Sequence, residues 1–330
     1  MPIPASKLRE GLPGRWYHDP DHHRLELATI WQRHWICVGR VQDFAAPTQV
    51  LQLALGERLL EVCRDRDGRL RAWQESSDPP AEVPPRQPAV GEHLGFVFVN
   101  FDPQPGAGLG AALENEAAGL AAWPLQTLAL AHREVHELAC NWKVFWENYS
   151  ECYHCPGIHP ELSKLVPLYG QGLVRPGQLP EGHPLREAPV SLRPGAVSWT
   201  SDGATSLPDI AGLGPAQLEA GMTFADFLPG MFVIAHRDYV RSVRVWPLAP
   251  ERTRLTVDWL LPEDTLALQP DLERLVSFAR QVVAEDARAC EINQAGLRSR
   301  AHRHGVLMPI EDGVAEFDDW VRAQLPRTAV

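Results

Sequence analysis

Apolar and polar positions divide the chain into a strand-rich first part and a second part that ends in helices. Residues 24–35 carry apolar side chains at helical spacing, with Leu25, Ala28, Trp31 and Trp35 on one side. From Val50 to Arg64 apolar and polar residues alternate around Gly56-Glu57, which predicts a β-hairpin; Asp67-Gly68 then turns the chain into a strand at Arg69–Trp73. Residues 76–91 contain five prolines without periodicity and predict a loop, followed by a strand at Gly95–Phe101. A Gly/Pro-rich stretch at 103–110 marks a domain boundary before a small helix at about 110–122. A strand at Ala131–Leu138 leads into a short helix, then a Gly/Pro/Ser-rich excursion over 170–216, of a length that usually covers a site. Phe232–His236, Asp238–Leu248 and Thr253–Leu261 predict three strands joined by tight turns. Asp271–Arg300 predicts one long helix and Gly313–Gln324 a terminal one. An antiparallel sheet gripping a long helix is an α+β arrangement.

Composition narrows the partners. The 330 residues carry a formal net charge of -11, which argues against nucleic acid, because phosphate binding needs a basic surface. An acidic surface favours a cationic substrate, although plain solvation explains the same charge. No apolar run is long enough to span a membrane, and Met1-Pro-Ile-Pro lacks the pattern of a secretory signal. The expectation is a cytoplasmic protein whose six cysteines (Cys37, Cys63, Cys140, Cys152, Cys155, Cys290) are free thiols.

The chemistry concentrates between Asn141 and Pro160. This stretch reads as a short helix that delivers His154, breaks at Pro156-Gly157 and folds back to present His159. Cys152 and Cys155 form a lone Cys-x-x-Cys that is expected to pack around His154. On the long helix, Asp286 falls in the apolar stripe Leu272, Leu275, Ala279, Val282, Val283, Cys290 and Leu297. A carboxylate there needs a cation, a hydrogen-bond network or a proton. Two His and one carboxylate on one face of a metal leave positions open for oxygen and substrate, the facial triad of non-haem Fe(II) oxygenases; the same set also suits zinc and hydrolysis. His132 and His136 lie on a strand, where four residues span roughly 13 Å, too far for one metal. His22, His23, His302 and His304 sit in polar segments and are expected to be solvated.

At these residues the chain resembles the catalytic α subunit of the Rieske non-haem iron, ring-hydroxylating oxygenases. The matching positions are Asn141-Trp142-Lys143, Glu147-Asn148, Glu151, Tyr153-His154, His159-Pro160 and Asp286-Ala-Arg-Ala-Cys290-Glu291. The resemblance implies a helix-grip catalytic domain at 131–330 with mononuclear Fe(II) on His154, His159 and Asp286. It implies a smaller, truncated all-β Rieske-like domain at 1–130. Glu151 matches the acidic residue that links the iron to a neighbour's cluster, and Glu151 and Asn148 of the motif are the candidate catalytic residues; a solvated Glu147/Glu151 face is the plainer alternative. Family members hold a [2Fe–2S] cluster with Cys-x-His and Cys-x-x-His. No such pair lies upstream of residue 130, where Leu70-Arg-Ala-Trp73 runs into Gln74-Glu-Ser-Ser-Asp-Pro-Pro80. The chain is therefore expected to bind no cluster and to receive electrons from a Rieske-containing partner (ferredoxin, reductase or second α-type chain) within a trimer or hetero-oligomer. The implied reaction is O2-dependent hydroxylation or N-/O-dealkylation of a small organic substrate, as in members acting on glycine betaine and carnitine. Trp146, Tyr149, Trp199, Phe224, Phe227 and Tyr239 are candidates for an aromatic cage around a methylated amine. The alternative is a non-catalytic scaffold subunit.

Overall fold

The structure is a computed structural model that describes residues 8–46, 49–76, 87–183, 186 and 190–326. Strand β1 (Arg9–Pro13) leads into helix α1 (Pro20–Glu26), whose end widens into a π turn at Leu27–Trp31. Two antiparallel three-stranded sheets follow. One orders β3 (Val50–Leu55), β4 (Arg58–Arg64) and β5 (Leu70–Ser76); the other places β7 (Phe96–Asn100) between β2 (Ile36–Arg40) and β6 (Ala89–His93). The β3–β4 hairpin turns where predicted, with Gly56 in the left-handed region at φ 60°, which a glycine adopts without steric penalty. The proline-rich loop lies largely outside the described residues, and with it residues 77–80 of the segment expected to lack the cluster ligands.

Beyond two short helices, α2 (Leu109–Ala112) and α3 (Glu114–Gly119), comes the larger sheet. It is built from β8 (Ala129–Leu138), β9 (Met222–Phe227), β10 (Met231–His236), β11 (Val240–Ala249) and β12 (Arg252–Leu261), in the order β8-β12-β11-β10-β9, all antiparallel. Between β8 and β9 lie α4 (Trp142–Tyr149), α5 (Cys155–Ile158), α6 (Pro160–Leu165) and α7 (Pro215–Ala220). After β12 come α8 (Glu263–Ala267), the 26-residue α9 (Leu272–Leu297), β13 (His304–Leu307) paired with β1, and α10 (Asp312–Gln324). Asp271 caps α9 by accepting from the Glu273 N–H. Leu275, Val276, Phe278, Ala279 and Val282 of α9 are buried over the sheet, and each of these but Ala279 contributes roughly 1.5–3 kcal/mol relative to exposure. Among the described residues no helix is long and apolar enough to cross a membrane.

Several expectations need correction. The first helix starts at Pro20, capped by Asp19, and the π turn shifts its face, so Ala28 is exposed while Leu27, Ile30 and Trp31 are buried. His22 and His23 are consequently buried, not solvated: His22 stacks on Trp16 (ring centroids 4.3 Å apart), and burial lowers the His23 pKa to about 4. His302 and His304 are half-buried beside the β1–β13 ribbon. The helix predicted over 110–122 is two short pieces, and β9 went unpredicted; Met222 on one face and Ala225 and Phe227 on the other are all buried, so its residues do not alternate between core and solvent. Cys152 and Cys155 are joined in a disulfide rather than free, because the turn after α4 brings their Cα atoms to 4.9 Å; the other four cysteines are free and buried.

The N-terminal end of α4 is anchored by buried charge. Lys143, fully buried, pairs with Glu26 at 2.6 Å and donates to the Trp16 carbonyl and to Asn141 Oδ1. Trp142 Nε1 donates to the other Glu26 oxygen at 2.9 Å, and Asn141 caps the helix through the Lys143 N–H. At the other end of α4, Tyr17 Oη donates to Glu147 at 2.5 Å, so Glu147 is no solvated face. Burial and the neighbouring Asp318 push the Glu147 pKa well up. Asp318 on α10 accepts from the Leu12 N–H, and burial, only partly opposed by Arg322, pushes its pKa to about 7. A carboxyl raised on folding binds more protons folded than unfolded. Its contribution is therefore greatest below the unfolded value of about 3.9 and is lost as pH rises toward 7. Asp318→Asn keeps the acceptor and removes the titration. It should flatten the loss of stability between pH 5 and 8 and raise stability at pH 8 by on the order of 1–3 kcal/mol, read from urea midpoints.

Candidate metal centre

Helix α4 ends at Tyr149, five residues before His154, and Pro156-Gly157 lie inside the one-turn α5 rather than at a break. The link between the helices is held by Glu151, which accepts from the His154 backbone N–H at 3.2 Å and meets His154 Nδ1 at 2.5 Å. His159 sits between α5 and α6, almost fully buried, with Pro160 opening the next helix. Its Nδ1 meets Glu285 Oε2 at 2.8 Å. With Nδ1 of each ring given to a carboxylate, both Nε2 atoms point inward.

Those Nε2 atoms converge on Asp286. They are 3.2 Å apart, and Asp286 Oδ1 lies 2.9 Å from His159 Nε2 and 3.5 Å from His154 Nε2. Asn148 Nδ2 donates to the same oxygen at 2.6 Å. Burial acts against charge here, but the hydrogen bonds outweigh it: the contacts with Asp286 and Glu151 hold His154 at about 9, and the two imidazoles hold Asp286 at about 2. Donors around an octahedral ion at about 2.1 Å would stand about 3.0 Å apart at right angles. The three spacings fit such an ion, and the donor set is that of a non-haem Fe(II) facial triad. Cys155 Sγ also lies near, 3.8 Å from His154 Nε2, but its bond to Cys152 leaves no thiolate to offer.

The three residues border a cavity of about 100 Å³ walled by Phe145, Tyr149, Tyr169, Trp199, Phe224, Phe232 and Val282, with Val174 from the long excursion. Of the aromatic-cage candidates, Tyr149, Trp199 and Phe224 line it. Trp146, Phe227 and Tyr239 are core instead: Trp146 Nε1 is held by the Pro229 carbonyl, and Tyr239 is buried against His236. His132 and His136 flank Glu134 at 3.2 Å each along β8, with Arg280 on the same carboxylate, a strand-face ion-pair cluster. Two charged residues at the site, Glu285 and Arg241, escaped the sequence reading. Glu285 carried no signal, since acids on helix surfaces are common. Arg241 carried one: it shares its strand face with Val243 and Val245 and so belongs to a buried side.

Residues 125–327 match the ring-hydroxylating α subunit (catalytic domain) family. The chain belongs to that family. Among its relatives, the glycine betaine monooxygenase oxygenase subunit of Chromohalobacter salexigens is 26% identical, covering 94% of this chain and 84% of its own. The chloroplastic choline monooxygenase of Spinacia oleracea is 23% identical, covering 95% and 78%. The first of these alignments runs over 379 positions against a chain of 330, so the relative has residues opposite gaps here. The apo quaternary ammonium Rieske monooxygenase CntA superposes with a TM-score of 0.66 at 19% identity, over 99% of this chain and 100% of that one. The naphthalene 1,2-dioxygenase of a Rhodococcus species does so at 0.64 and 15%, over 96% and 95%. These likenesses establish the ring-hydroxylating α-subunit fold, an oxygenase component of a non-haem iron family.

The Glu285 contact generates a test of the second imidazole. Glu285→Ala frees His159 Nδ1 and should weaken Co(II) binding to metal-free protein by about 10–100-fold in a titration, with the fold unchanged by circular dichroism.

Proposed function

We propose that this chain is the iron-bearing oxygenase component of a multi-protein system, with mononuclear Fe(II) on His154, His159 and Asp286. The observation that carries the reading is the convergence of Nε2, Nε2 and Oδ1 at one wall of an aromatic cavity. Bound Fe(II) would supply the oxygen chemistry, by which O2, two electrons and two protons yield a hydroxylated carbon and water. The protein's own part is geometric and electrostatic. Glu151 and Glu285 orient the imidazoles, Asn148 fixes the Asp286 oxygen, and the aromatic walls exclude water from the reacting end of the substrate.

The substrate is a small organic molecule hydroxylated or N-/O-dealkylated with O2, and the names of the relatives favour a methylated amine. Residues 1–130 form a shortened Rieske-like domain without a cluster, in keeping with the gaps opposite longer relatives. Electrons then come from a separate Rieske-containing chain. Glu151 touches His154, and Tyr153 and Ile158 expose apolar surface beside it, which suits docking of such a partner there.

His154→Ala or Asp286→Ala should abolish Fe(II) retention in anaerobically purified protein, measured by metal analysis. Wild type should turn over once only when a reduced Rieske protein is added; product formed by the chain and reductant alone would overturn the external supply of electrons. Glu151→Gln should retain iron yet slow that single turnover at least tenfold. An unchanged rate would remove Glu151 from the electron route.

A further inference from the structure

The cavity contains a positive charge that no carboxylate pairs with among the described residues. Arg241 on β11 faces the same space as Asp286, pairing across the sheet with Ile234 of β10 and Trp259 of β12. It is 4% exposed, and its Nε and Nη1 are buried without a hydrogen-bond partner among the described residues. The guanidinium carbon stands 5.4 Å from the centre of the Trp199 ring. The other buried arginine shows what satisfaction looks like: Arg40 donates to the Leu125 and Leu128 carbonyls at 2.9 and 2.7 Å. Arg244, three residues along β11 on the opposite face, reaches Asp258 and the Val38 carbonyl.

An unpaired buried charge is strongly destabilising, so a guanidinium left this way implies an acceptor that arrives with the ligand. Asp286 is the nearby carboxylate on the protein side, but its Oδ1 is already engaged by Asn148 and His159. His236, stacked near Trp199, is driven neutral by burial and by Arg241 itself, and so offers no counter-charge. Arg241 occupies one face of the Trp199 ring, so that face is not open to an ammonium group. The group that best completes a buried arginine fork is a carboxylate, bound through two parallel N–H bonds.

We propose that Arg241 is the specificity-determining residue of this pocket and that the substrate is a small carboxylate. Its carboxylate is bound at Arg241, and the carbon to be oxidised lies toward His154, His159 and Asp286. A cationic head is not required. The assignment deepens the oxygenase reading above and rests on it only for the direction in which the ligand points.

The test is calorimetric binding of three probes of similar size to wild type, in metal-free and Fe(II)-loaded anaerobic forms. Glycine betaine carries both a carboxylate and an ammonium, 3,3-dimethylbutanoate keeps the carboxylate on an uncharged tert-butyl frame, and choline keeps the ammonium without the carboxylate. Both carboxylates should bind the metal-free protein at least tenfold more tightly than choline. Arg241→Met should erase that preference and leave choline binding within about twofold, while Arg241→Lys retains part of it. Choline binding as well as either carboxylate, failure of both carboxylates to bind wild type, or a carboxylate preference that survives in folded Arg241→Met would each overturn the proposal. The wild-type comparison decides the matter if Arg241→Met does not fold. A carboxylate preference in protein that takes up no iron would refute the oxygenase reading and leave the Arg241 assignment standing.

Discussion

The site depends on an ion pair that never meets water. Lys143 and Glu26 are both fully buried, and between them they fix the start of α4 against α1 and the segment carrying Trp16. Removing one partner of such a pair typically costs about 3–5 kcal/mol, since the other charge is left stranded. Asn141 adds a cap on α4, a bond to the Pro250 carbonyl and, through its N–H, a bond to Gln294 on α9. Helix α4 is thereby tied at its first turn to the long helix. Asn148, at its far end, then reaches Asp286 of α9. Asn-Trp-Lys is therefore the footing of the candidate metal site rather than part of it.

The donor cluster gathers several acids around two imidazoles. Glu151 and Glu285 each take an Nδ1, and Asp286 takes the inner side, with Asn148 as its donor. So many carboxylates in a part-buried place would repel one another without protons or a cation among them. The raised His154 and lowered Asp286 values record the same pressure, with protons on the imidazoles standing where a divalent ion fits. Across the cavity, Arg241 Nε and Nη1 have no hydrogen-bond partner among the described residues, so positive charge is offered to the ligand from one end while the acids gather at the other. That polarity orients an asymmetric molecule without any close-fitting mould.

Much of this was legible along the chain. The strict alternation around Gly56, the four-residue steps from Val282 through Asp286 to Cys290, and the apolar run at Phe96–Asn100 each report a local period that the folded chain keeps. The disulfide between Cys152 and Cys155 was not legible. A Cys-x-x-Cys admits packing, metal or a bond, and the turn after α4 selects the bond by bringing the two residues together. The burial of His22 and His23 was hidden by the π turn, which rotates the face of the first helix beyond what a 3.6-residue count can follow.

By itself the sequence determined which side chains could serve a metal, since two imidazoles spaced by a turn and a carboxylate on a buried stripe are properties of residue type and local period. Only the tertiary structure decided how they are served. Glu285 meets His159 across 126 residues of chain, and β11 brings Arg241, with no hydrogen-bond partner for Nε and Nη1 among the described residues, to the same cavity as Asp286 of α9. Neither is a local property: each depends on where two distant elements cross, and burial and charge are fixed only there.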